Sequence, residues 1–118
     1  MAVLGNPFGA VVPRKLTNGE LIQAIREDIV GELEAIHGYE AHVMATDDPL
    51  AKAVLSDISN EEKAHIGELM TLLRHLDPQE AEHFASGQAE VREMMIDLGI
   101  NPDAQPAAEG STVGSLLK

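Results

Sequence analysis

Glu61 to Leu69 reads EEKAHIGEL and sets a carboxylate and an imidazole, Glu62 and His65, on the line of a helix where apolar side chains are expected. The residues on either side reveal that line. Ala51, Leu55, Ile58, Glu62, His65, Leu69, Leu72 and Leu76 recur at steps of three and four, the spacing of a helix with one seam turned toward a neighbour. A matching seam precedes it, formed by Ile22, Ile25, Ile29, Glu32, Ile36, Tyr39 and Val43, and here Glu32 is the interruption. Residues three apart differ by about 60° around a helix and about one turn along it, so Glu62 and His65 can grip one ion together. Each interruption falls near the middle of its seam. In an antiparallel hairpin the middles meet, which predicts that Glu32 approaches Glu62 and His65. Burying carboxylates without partners costs several kcal/mol each, and a divalent cation would compensate. The alternative is a Glu–His hydrogen bond with no ion, or a groove in which these groups meet water.

Helix boundaries are marked by their caps. Thr17 followed three residues later by Glu20 fits a capping box, which starts helix 1 at about residue 18 and runs it to about 45. Asp48-Pro49 supplies a cap and a proline at the first helical position, opening helix 2, which runs to about residue 75. Asp77-Pro78 repeats the device for a third helix, bent near Gly87 and closed by Gly99. Before this domain, Gly5, Pro7, Gly9 and Pro13 exclude a regular helix over residues 1–16, which read as an extended arm. After it, residues 101–110 (NPDAQPAAEG) carry too little bulky apolar surface to offset ordering entropy and read as a flexible linker. The last eight residues, STVGSLLK (111–118), regain hydrophobicity. The organisation is therefore arm 1–16, an all-α domain 17–100, linker 101–110 and tail 111–118.

Composition narrows the function. In 118 residues, 20 acids against 8 Lys and Arg give a net charge of −12, which argues against a nucleic-acid partner and suits the binding of metal cations. Cysteine is absent, so a disulfide framework or thiolate metal site is impossible and a cytoplasmic location is expected. The N-terminus lacks a basic segment and is broken by Asn6-Pro7, so it reads poorly as a secretory signal. No apolar run is long enough to span a membrane.

One chain holds one Glu on one helix and one Glu-x-x-His on the other. Ferritin-like di-iron bundles use two of each, drawn from four helices. No second hairpin follows in the sequence, so the simplest completion is a second chain related by a two-fold axis. Four carboxylates and two imidazoles would then surround two metal ions, and oxygen ligands with one nitrogen per metal suit iron or manganese better than structural zinc.

Glu32-Leu33-Glu34-Ala35 with Tyr39, then Glu61-Glu62-Lys63-Ala64-His65, resembles the encapsulated ferritins, short ferritin-like proteins packaged inside encapsulin shells; the match covers about residues 17 to 98. The resemblance implies a half-ferritin hairpin whose four-helix bundle is completed by dimerisation, with dimers associated into a ring, commonly a decamer. It gives Glu32, Glu62 and His65 the roles of di-iron ligands, sets Tyr39 just outside them, and assigns Glu34 to a secondary metal site. The better-known members carry an additional acid and a tryptophan where this chain has Gly31 and Gly38, a departure that leaves the ligand set intact.

The tail, Ser111 to Leu117, resembles the cargo-loading peptides that dock on the inner wall of encapsulins. Val113 and the Leu116/Leu117 pair could fill apolar pockets, with Gly114 permitting close backbone approach. The other histidines carry less: His37 and His42 lie off the seam, and His75 suits the end of helix 2, where an imidazolium meets the negative end of the helix dipole. The expected function is a ferroxidase that oxidises Fe(II) at a centre of two iron ions shared between two chains, delivering Fe(III) for storage inside an encapsulin nanocompartment in the cytoplasm. The alternatives are a rubrerythrin-like peroxide scavenger and a non-redox protein in which metal only cements the dimer.

Overall fold

The computed structural model describes residues 14–104. Most of the expected arm (residues 1–13), the linker from residue 105 and the tail 111–118 lie outside the described residues. Within them the chain forms α1 (Asn18–Met44), α2 (Pro49–Leu76) and α3 (Pro78–Asp97), with no strand among the described residues.

Each expected cap is present. The Glu20 N–H donates to Thr17 Oγ1 at 3.2 Å and the Thr17 N–H to Glu20 Oε1 at 2.9 Å, which closes the capping box. Arg14 grips the same carboxylate with two hydrogen bonds of 2.7 Å, and its guanidinium holds the Glu20 carboxyl down at about 2. Asp48 accepts from the Leu50 N–H and Asp77 from the Glu80 N–H, each at 3.2 Å, with a proline at the start of the helix in both cases. α3 runs as one helix through Gly87 and ends where Gly99 takes φ +77°, a left-handed conformation that glycine adopts without steric cost. The Ile100 N–H then reaches Met95 O at 2.8 Å and the Gly99 N–H reaches Ile96 O at 3.0 Å, the paired closing bonds of a Schellman motif.

α1 and α2 pack antiparallel across the short Ala45–Asp48 turn. The whole α1 seam turns inward: Ile25 and Val43 are buried, and Ile22, Ile29, Glu32, Ile36 and Tyr39 are half-buried. On α2 the side facing α1 is rotated from the expected seam. Ser59 and Leu73 are its buried residues, joined by half-buried Leu55, Glu62, Ile66 and Leu69, whereas His65 and Leu72 are exposed. The cause is a second apolar flank at heptad spacing, Ile58, His65 and Leu72, which merges with the first in the sequence pattern but looks out over the open face of the hairpin. The molecule measures 48 × 42 × 17 Å, and a helix with its side chains is about 10–12 Å across, so one layer of helices makes up the fold and one face of each stays uncovered.

Candidate metal centre

Halfway along the hairpin, Glu32 on α1 meets Glu62 and His65 on α2. His65 Nδ1 lies 3.7 Å from Glu32 Oε2 and 3.5 Å from Glu62 Oε2. One ligand atom from each of the three residues falls within 4.8 Å of the others. Two donors each about 2.1 Å from one ion stand at most about 4.2 Å apart, so both histidine–carboxylate separations suit a shared cation and are too long for hydrogen bonds. Backbone geometry sets half of this arrangement, since Glu62 and His65 are three residues apart on one helix. Packing of the α1 seam sets the other half by bringing in Glu32 from thirty residues earlier.

Glu62 and Glu32 are mostly covered, their side chains 17% and 26% exposed, while His65 at 49% stands at the open edge. Glu32 Oε2 is shut off from solvent and accepts no hydrogen bond. A shielded carboxylate oxygen with no donor is an acceptor lacking its counter-charge, and that is the observation on this fold that best fits a bound cation. The charged groups around it do not fill the role: Lys63 reaches Glu40 at 3.5 Å, and Arg26 bridges Asp77 and Glu80 at 3.2 Å each.

The other expected residues are placed as follows. Tyr39 is half-buried two turns beyond Glu32 on the same seam. Glu34 is half-buried on α1 but outside the three-residue cluster, because two residues carry it about 200° around the helix from Glu32. His37, His42, His75 and His83 are exposed and likewise outside the cluster. The site opens into a groove of about 440 Å³ lined by Glu27, Asp28, Gly31, Glu32, Ala35, Glu62 and Leu69. Glu27 and Asp28 were not expected in this setting because they lie off the apolar seam. The available signal was the four-residue step from Asp28 to Glu32, which puts both on one side of α1.

No family model matches the chain. It is 40% identical over 102 residues to the encapsulin nanocompartment cargo protein EncC of Myxococcus xanthus, an alignment that takes in 86% of this chain and 77% of that protein. It is also 40% identical over 86 residues to a ferritin-like-encapsulin shell fusion protein of Pyrococcus furiosus, covering 72% of this chain but 25% of that longer protein. Among solved structures, the encapsulated ferritin domain from Pyrococcus furiosus superposes with a TM-score of 0.72 at 35% identity, over 84% of this chain and 98% of that one. Sequence and fold agree, and the chain belongs to the encapsulated ferritin-like cargo proteins.

Proposed function

We propose that this chain is a ferroxidase that binds two Fe(II) ions between two copies of itself. The convergence of Glu32, Glu62 and His65 on the uncovered face of a hairpin carries the proposal. Three donors are half of what two iron ions need, and the shared face offers a second copy exposed apolar surface in Val54 and Leu72 beside the ligands. Two copies would bring four carboxylates and two imidazoles, whose four negative charges balance two divalent ions. In oxidation each Fe(II) gives one electron. Dioxygen takes both, with two protons, and leaves as hydrogen peroxide; peroxide as the oxidant takes both, with two protons, and leaves as two waters. Carboxylate oxygens favour the harder ferric product, while the imidazole of His65 completes each ion's ligand set. Dimers would associate further into a ring, with a decamer as the expected size.

The product would be stored within an encapsulin compartment, the setting named for the Myxococcus xanthus relative, with residues 111–118 as the address read by the shell. Among the described residues no helix is long and apolar enough to cross a membrane. The test is an anaerobic Fe(II) titration followed by exposure to air, with oxidation followed by absorbance. Glu62→Ala should lower the rate by about 100-fold, as expected for loss of a ligand, with helical content unchanged. Iron retained without oxidation in the wild type would favour a structural metal instead. A rate that rises only with peroxide would favour a peroxide scavenger.

A further inference from the structure

We infer that Glu27 and Asp28 form the intake through which Fe(II) reaches the Glu32, Glu62 and His65 site, an inference that rests on the ferroxidase reading. Four carboxylates, those of Glu27, Asp28, Glu32 and Glu62, line the groove, and its lining contains no Lys or Arg. Glu32 and Glu62 belong to the metal cluster, whereas Glu27 and Asp28 do not; they are exposed at one end of the groove. Asp28 precedes Glu32 by four residues, about 6 Å along the axis on the same side of α1. Gly31 lines the groove between them and has no side chain to obstruct it, and Leu69 of α2 forms part of the opposite wall. The inner end holds the solvent-shielded Glu32 Oε2, an acceptor without a donor.

This gradient has a physical consequence. A hydrated Fe(II) ion keeps its water at an exposed carboxylate and is held there by charge alone. It sheds water only where donors converge, at the inner end. A concave surface of one sign concentrates counter-ions and raises capture rates. The step of about 6 Å is shorter than the screening length of about 8 Å at physiological salt, so an ion at Asp28 already feels the field of the inner carboxylates. The basic residues that could cancel that field are engaged elsewhere: Arg26 with Asp77 and Glu80, Lys63 with Glu40, and Arg74 over the Phe84 ring. Glu34 points about 200° away from Glu32 and does not line the groove.

The experiment measures anaerobic Fe(II) capture by the full chain in competition with a colorimetric chelator, at low and high ionic strength. The Glu27→Gln/Asp28→Asn double variant should capture iron about tenfold more slowly at low ionic strength, bind the same number of ions at equilibrium, and approach the wild type as salt rises. Glu90→Gln/Glu93→Gln on α3 removes the same net charge away from the groove and should leave the rate unchanged. Wild-type capture by the groove variant would overturn the intake, as would equal slowing by the α3 control or slowing by Glu34→Gln alone. Glu62→Ala separates the two levels. If it still retains and oxidises iron, the ferroxidase site itself is wrong; if it loses iron while the groove variant captures normally, only the intake fails.

Discussion

The α1–α2 hairpin and α3 are built from similar material and behave differently. Both carry apolar residues at steps of three and four, but the hairpin buries Ile25, Val43, Ser59 and Leu73, while α3 buries nothing. α3 is attached at its beginning, where Arg26 binds Asp77 and Glu80 and the Arg74 guanidinium stacks 3.7 Å over Phe84. Beyond that point its apolar residues stand in solvent, Val91 at 53% exposed and Leu98 at 76%. The contrast shows why position matters more than composition. Glu32 and Glu62 are held by the cover of a packed seam and become ligand candidates, whereas Glu90 and Glu93 on α3 have no such cover and form a solvated face.

That contrast can be broken first by truncation. Leu73→Ala, at a site 2% exposed, should cost about 2–5 kcal/mol in denaturant unfolding, whereas Leu98→Ala should stay within about 0.5 kcal/mol. Equal effects would mean that α3 is covered in solution by a neighbour as fully as the hairpin core is. A smaller change should follow from Arg74→Ala. Removing the guanidinium from Phe84 should cost about 0.5–2 kcal/mol and raise amide exchange along α3 while leaving the middle of α1 protected. Exchange rising uniformly would show that the helices unfold as one unit.

The smallest expected effect lies at the start of α1 and depends on pH. The Arg14 guanidinium, the largest cause, and the Thr17 N–H hold the Glu20 carboxyl down at about 2 in the folded chain. Because the folded value lies below the unfolded one, the contribution is complete above the ordinary carboxylate range. It fades as pH falls through that range toward 2. NMR titration of the Glu20 carboxyl should show this depressed value, and Arg14→Ala should return it toward the ordinary range, with fraying confined to the first turn of α1. No change in the variant would place the cause in the capping box alone.

Much of this molecule was legible in advance, and the exceptions are specific. Thr17 with Glu20, Asp48 with Pro49, and Asp77 with Pro78 predicted helix starts because their side chains act on backbone groups a few residues away. The α1 seam was legible because one apolar stripe allows one inward direction. α2 has two adjacent flanks, and a step pattern of three and four does not say which of them faces α1. The structure assigns Ser59 and Leu73 to that side and leaves His65 and Leu72 at the open face.

The same distinction applies to the site. The pairing of Glu62 with His65 is a property of the sequence, because three residues on a helix span a distance and an angle fixed by covalent geometry. The capped ends and the inventory of one Glu and one Glu-x-x-His have the same standing. What brings Glu32 within 3.7 Å of His65, and lays Glu27 and Asp28 along the same groove, is the register of α1 against α2. Tertiary structure alone decided that, because register comes from how buried side chains such as Ile25, Val43 and Leu73 fit together across the turn, and no local rule along either helix encodes the fit.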